Sequence, residues 1–286
     1  MNLTLPGRDQ FLPANGLSLH CRLFGEVEDS PVVVLHGVMG HAREWDTLVQ
    51  SLAGSHHVVA LDQRGHGESD WADRYRPTDL AADLIEVVGK LELTRPRVVA
   101  HSMGGLTAIL AAARRPDLFR QLVIVDVGPD SVRGSVAADI AAFVQELGRS
   151  SYATFDDAYA EWAENSLARP ELLHHYVTHC LRRRPDGRLE WRFDGVGLAD
   201  FFESANSAEL WDAVDQIRCP VLVVRGELSP FFTRQSANEM TCRLTDGRLV
   251  EIPQVGHDIG VENPEAVAAE AASFFSSSAA DWVTGI

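Results

Sequence analysis

Short runs of consecutive apolar residues recur along the chain, separated by stretches in which apolar positions return every three or four residues. The runs are residues 32–35, 58–61, 97–100, 122–125, 219–224 and 248–252. They are strand-sized and rich in valine, and all but the last, Arg248-Leu249-Val250-Glu251-Ile252, are free of polar alternation, the pattern of strands buried on both faces. Between them, residues 42–52, 106–113, 233–240 and 264–275 carry helical spacing. Leu80, Leu84, Ile85, Val88 and Leu91 form a further helical stripe, for which Thr78 is the expected cap. Strands that alternate with helices predict an α/β fold, a mostly parallel sheet flanked by helices. Right-handed crossovers bring the C-terminal ends of the parallel strands to one edge, where open α/β sheets bind ligands.

The pattern changes after Gly128-Pro129. Residues 130–215 are mainly helical, rich in alanine, glutamate and aromatics, and hold no buried-strand run. One hairpin interrupts them: residues 181–184, a Pro185-Asp186-Gly187 turn, and residues 188–193. The expected organisation is a core in two parts, residues 1–129 and 216–286, with residues 130–215 inserted as a cap over the sheet edge. The aromatics Phe143, Tyr152, Tyr159, Trp162, Trp191, Phe201, Phe202 and Trp211 make a mostly apolar pocket under that cap the expectation, with core packing as the alternative for each. The tail beyond residue 275 is expected to attach loosely.

Charge narrows the partners. The 25 basic and 41 acidic residues give a net charge of -16, which repels nucleic-acid phosphates and anionic membranes. The N-terminus lacks the basic-then-apolar order of a secretory signal, and no apolar stretch approaches the roughly 20 residues of a membrane span. Cys21, Cys180, Cys219 and Cys242 are scattered without metal-ligand spacing, which predicts free, buried thiols and a cytoplasmic location. Neither a metal cluster nor a dinucleotide glycine pattern is present, so no cofactor is expected. The expected partner is a small-molecule substrate, with no nucleic acid and no membrane.

The chemistry concentrates at Ala100-His101-Ser102-Met103-Gly104. Small residues at 100 and 104 let a strand turn sharply into a helix, and the turn exposes Ser102 as a nucleophile. The backbone N–H of Met103 then opens the helix and can face an oxyanion. Four further motifs accompany this elbow in order: His36-Gly37 after a strand, residues 62–69 reading DQRGHGES, Arg225-Gly226-Glu227, and Gly256-His257. Together they resemble the α/β-hydrolase superfamily over nearly the whole chain, in particular capped serine hydrolases of the esterase and lactonase kind. The elbow departs from the common pattern only in Ala100, which replaces a glycine.

The resemblance implies Ser102 as nucleophile, His257 as general base, and the Val38 and Met103 N–H groups as oxyanion donors. His36 and Gly37, in the turn before Val38, and Trp162 and Trp191 of the aromatic insertion are the candidate pocket residues, with loop bracing as the alternative for His36. The acid is open. Pro230 stands where relatives usually carry an aspartate, so Asp126 at the end of the 122–125 strand and Glu227 are the substitutes, with no working acid as the third case. Arg64 and His66 are expected to brace their loop. Arg182, Arg183 and Arg184 form either a solvated hairpin face or a steering patch for an anion. The implied activity is hydrolysis of an ester or lactone through an acyl-enzyme. Cleavage of a carbon–carbon bond beside a ketone, or other cofactor-free chemistry of this fold, is the alternative. A ligand-binding protein on a hydrolase scaffold is the reading from another class. A serine at 102 disfavours epoxide and haloalkane chemistry, which needs an aspartate there.

Overall fold

The computed structural model describes residues 6–27, 29–164 and 166–276. Its strands are β1 (Arg8–Ala14), β2 (Leu17–Phe24), β3 (Ser30–Leu35), β4 (His56–Leu61), β5 (Arg97–His101), β6 (Gln121–Val125), β7 (Ser151–Tyr152), β8 (Leu181–Arg183), β9 (Leu189–Trp191), β10 (Val221–Gly226) and β11 (Gly247–Ile252). The helices are α1 (Asp46–Leu52), α2 (Pro77–Lys90), α3 (Met103–Arg114), α4 (Ser135–Arg149), α5 (Phe155–Ala163), α6 (Pro170–Cys180), α7 (Ala199–Ser204), α8 (Ser207–Gln216), α9 (Arg234–Arg243), α10 (Ile259–Glu262) and α11 (Pro264–Ser276).

Eight strands form one sheet in the order β1-β2-β4-β3-β5-β6-β10-β11. From β4 to β11 every neighbouring pair is parallel. Alternate residues of the central strands face opposite layers. Val33, Val98 and Ile124 pack toward α2, α3, α8 and α9, whereas Val34, Val99 and Val123 pack toward α1 and α11. Burial on both faces is the physical reason these strands carry no polar alternation. The edge strand β11 is covered less completely, and only Ile252 in it is fully buried.

The N-terminal hairpin was not among the expected elements. β1 pairs antiparallel with β2, and β2 pairs antiparallel with β4. Asn15 and Gly16 both have positive φ, 50° and 83°, which is the backbone of a tight hairpin turn. Pro13 interrupts the strand pattern, and it is tolerated because β1 is an edge strand.

Three further expectations need correcting. Thr78 does not cap α2: Arg76 is the N-cap and Pro77 opens the helix, its fixed φ and missing N–H suiting the first turn. The expected 42–52 helix starts as a short 3-10 turn, Ala42–Trp45, before α1. Three cysteines are buried, but Cys242 is exposed, and all four are free. The expectation for the tail falls mainly on residues 277–286, outside the described residues.

The 130–215 stretch holds helices α4 to α8 and a small sheet in the order β7-β9-β8. β8 and β9 form the expected hairpin. Its last helix, α8, packs against α3 in the layer on the sheet face. The hairpin is fastened to the loop after β4. Gly67 N–H donates to the Arg192 carbonyl (2.9 Å), and Asp194 N–H to the Gly65 carbonyl (2.9 Å). Among the described residues no helix is long and apolar enough to cross a membrane.

Candidate active site

Ser102 lies between β5 and α3 with φ 50° and ψ -119°, a left-handed conformation that costs on the order of 1–3 kcal/mol for a side-chain-bearing residue. The turn is tight enough to exclude side chains around it. A Cβ on Gly104 would lie 2.7 Å from the His36 carbonyl oxygen and 2.7 Å from Leu35 Cβ. A Cβ on Gly37 would lie 2.8 Å from His101 Nδ1 and 3.1 Å from Ser102 Cβ. The loop after β3 therefore presses directly on the serine.

The ladder sets the next residue. His101 pairs with Val125, so the residues that follow them, Ser102 and Asp126, leave adjacent strands at the same level. Asp126 also has φ 50° and is fully buried. Its Oδ1 accepts from the Gly226 N–H (2.8 Å). Its Oδ2 accepts from the Ser229 hydroxyl and lies 2.7 Å from His257 Nδ1. His257 Nε2 lies 2.9 Å from Ser102 Oγ. An ionised carboxylate only accepts, so the proton of His257 resides on Nδ1 and Nε2 is left to accept from the serine hydroxyl. This arrangement can deprotonate Ser102 as it attacks an electrophile.

Glu227 is elsewhere. It is exposed, and its carboxylate accepts from Gln254 N–H (2.9 Å) and Gln254 Nε2 (3.2 Å). It braces the loop after β11, and His257 Nδ1 faces Asp126 instead. Pro230 follows Ser229, so the loop that lacks the family's usual aspartate supplies a hydroxyl donor to Asp126.

A cavity of about 490 Å³ opens over Ser102 and His257. Val38, Met103 and Trp162 line it, as do Phe143, Phe201 and Phe202. His36, Gly37 and Trp191 do not. His36 is fully buried: its Nε2 accepts from Gln63 N–H (3.0 Å), and burial lowers its pKa to about 4. Trp191 is buried within the small sheet and donates to Tyr152 Oη (3.1 Å). Tyr152, Tyr159 and Trp211 also fall outside the lining. Ile140, Leu147, Val132 and Phe231 complete the apolar wall, and the Phe231 ring stands edge-on to His257 at 4.9 Å. No feature of the sequence marked Phe231 beyond its place after Pro230.

Arg64 and His66 brace their loop. Arg64 forks onto Asp83 (2.6 and 2.8 Å), and His66 Nε2 accepts from Met39 N–H (3.3 Å). Arg182 and Arg184 pair with Glu190 on the hairpin and are absent from the cavity lining.

His101 was not expected to contribute. It is buried behind the elbow, 3.4 Å from Glu44 Oε1, and its Nε2 lies 2.9 Å from the His257 carbonyl oxygen. Burial opposes a charge on it, but the hydrogen bond and charge of Glu44 prevail and raise its pKa to about 9. His101, His257 and Asp258 present possible metal-ligand atoms within 4.8 Å of one another. An ion there would have to displace one of the two bonds of His257.

Residues 32–270 match the model of the Alpha/beta hydrolase family. The chain is 33% identical to esterase Rv0045c of Mycobacterium tuberculosis over 82% of this chain and 79% of that protein. It is 30% identical to a 3-hydroxybutyrate-oligomer hydrolase of Cupriavidus necator over 83% of this chain and 85% of that protein. The crystal structure of E-2-(acetamidomethylene)succinate hydrolase superimposes with a TM-score of 0.87 at 22% identity, covering 95% of this chain and 100% of that one. At that identity the likeness concerns the fold.

Proposed function

The chain belongs to the α/β-hydrolase family, and from that premise we propose that it is a serine hydrolase cleaving an ester or lactone of a small, largely apolar molecule. The observation that carries this reading is the unbroken hydrogen-bonded chain Asp126–His257–Ser102 ending in an apolar cavity. In the proposed reaction Ser102 Oγ attacks the ester carbonyl while His257 Nε2 takes its proton. The N–H groups of Val38 and Met103 hold the oxyanion. His257 returns the proton to the leaving alcohol, which leaves an acyl group on Ser102. A water molecule, deprotonated by the same nitrogen, releases the acid and restores the serine.

Asp126 is the proposed acid, since it orients Nδ1 of the base and stabilises the imidazolium formed in each step. Residues 130–215 are proposed to contribute the roof of the substrate site, a role supported by the cavity contacts of α4, α5 and α7. The free thiols support a cytoplasmic setting as a further proposal. The named relatives add weight to ester hydrolysis, because one is called an esterase and another an oligomer hydrolase.

The direct test is labelling by a fluorophosphonate, read by intact mass on wild type and Ser102→Ala. One adduct on wild type and none on the variant is expected. An unlabelled but folded wild type, in a reaction where the probe is small enough to pass the cap, would remove the acyl-enzyme and raise the ligand-binding reading.

A further inference from the structure

The cavity is chemically one-sided. Its walls are apolar, with Phe143, Leu147 and Phe201 among them, and its charged lining residues are Glu161, Glu164 and Asp258. Neither lysine nor arginine lines it among the described residues. Among the described residues the only other ionisable group there is His257, which is committed to Asp126 and Ser102. Glu161 is fixed toward its place by the Tyr152 hydroxyl, which donates to Oε2 at 2.7 Å. Of the arginines in the 130–215 stretch, Arg182 pairs with Glu190 and Arg184 with Asp186 on the hairpin, Arg192 with Glu68 of the loop after β4, and Arg169 with Glu265, and no arginine of the stretch is in the lining.

We propose that this site selects uncharged esters with an apolar acyl group, and that Glu161 and Glu164 act as specificity determinants that reject substrates carrying a second carboxylate or a phosphate. The proposal rests on the serine-hydrolase reading and adds to it the charge class of the substrate. An apolar chain gains by leaving water for these walls. A carboxylate carried into the apolar part of this space loses its hydration and finds no cation, and to reach it must pass Glu161 and Glu164, which are exposed and repel it through a field that salt screens. The net charge of -16 adds a long-range field of the same sign. Asp258 neighbours His257 and contributes to the same potential at the reacting end.

The experiment compares 4-nitrophenyl hexanoate with the mono-4-nitrophenyl ester of adipic acid, whose acyl chain has the same length and ends in a carboxylate. The expected kcat/KM is about 100-fold higher for the hexanoate at low salt, and the ratio shrinks as salt screens the repulsion. In the Glu161→Gln/Glu164→Gln variant the ratio narrows roughly tenfold because turnover of the adipate ester rises. Equal use of the two esters by an enzyme that takes the fluorophosphonate label overturns the charge selection alone. So does a ratio that the double variant leaves unchanged, because the two glutamates are then not its source. Failure of the label on Ser102 overturns the serine-hydrolase reading and this inference with it.

Discussion

Two histidine–aspartate pairs stand at the C-terminal ends of parallel strands in this molecule, and they do different things. Asp62 follows β4 and Asp126 follows β6. In each pair Nδ1 of the histidine lies 2.7 Å from Oδ2 of the aspartate: His20 with Asp62, and His257 with Asp126. Each aspartate is buried and also accepts from the backbone, Asp62 from Ala42 and Glu68, and Asp126 from Gly226. The pairs diverge at the other ring nitrogen. His20 Nε2 faces a second carboxylate, Asp9, at 3.1 Å. Burial works against a charge on His20, yet the hydrogen bonds and charges of Asp62 and Asp9 raise its pKa. Its ring thus joins three segments of chain through two carboxylates. His257 Nε2 faces a hydroxyl on a strained turn and a cavity. A histidine–carboxylate pair becomes a base only when its outer nitrogen meets a group that can give up a proton and a space where a substrate can stand.

The largest effect separating the two pairs is expected from Ser102→Ala. Steady-state ester hydrolysis should fall roughly 10⁶-fold with the fold retained by circular dichroism. Asp126→Asn should lower kcat by about 10⁴-fold, through loss of the Nδ1–H tautomer. Asp62→Asn should instead lower the unfolding free energy by about 3–5 kcal/mol, because it removes the buried carboxylate that His20 Nδ1, Ala42 N–H and Glu68 N–H all face. Comparable activity losses in both variants, at equal stability, would break the distinction.

His20 and the histidines buried without a facing carboxylate partner predict opposite responses to pH. His20 has a raised pKa, so its contribution to stability is complete below the unfolded value of 6.5 and is lost as pH rises through the folded one. Chemical denaturation of His20→Gln should thus show a larger loss at pH 6 than at pH 10. His36, His41 and His66 are buried, with pKa values lowered by burial to about 4, 4 and 3. They bind protons in the unfolded chain first, so each should withdraw about 1.4 kcal/mol of stability per pH unit between 6.5 and its folded pKa. Denaturation curves between pH 7 and 5 measure the slope.

Smaller effects sharpen the assignment of the acid. Ser229→Ala removes a hydroxyl that donates to Asp126 and should lower kcat about 10- to 100-fold, the worth of a hydrogen bond to a charged group. Glu227→Gln should change kcat by less than about threefold, since it perturbs only an exposed brace to Gln254.

Much of the fold was legible because the central strands are buried on both faces, and that burial leaves an unbroken apolar run in the sequence. The N-terminal hairpin escaped because more than half of β1 is exposed, Pro13 breaks its alternation, and β2 mixes His20 and Arg22 among its buried apolar residues. Its one strong sign was Asn15-Gly16 between Ala14 and Leu17. The elbow was legible because steric crowding leaves only small residues around Ser102. The pocket was legible in part, as an apolar space that Phe143, Trp162, Phe201 and Phe202 line; which of the named aromatics reach it depends on where tertiary packing points a side chain. Trp162 and Trp191 are the same residue type in the same stretch, and only the first reaches the cavity. Asp126 and Glu227 could not be separated by spacing alone. What separates them is the pairing of His101 with Val125, which a single sequence does not display.

That pairing bears on how such an enzyme can change. Because the proposed acid leaves β6 level with the nucleophile, its distance from Ser102 is set by ladder spacing and not by the length of the loop after β10. From Pro230 onward that loop is relieved of carrying an acid, while its Phe231 forms part of the substrate wall. Substitutions there can reshape the cavity wall without moving Asp126, although Phe231 also packs edge-on against His257. A hydrolase with its acid in the same loop has chemistry and selectivity tied to one segment. Here the carboxylate itself is inherited apart from that loop, which keeps only a supporting hydroxyl at Ser229 and an aromatic packed on His257 at Phe231.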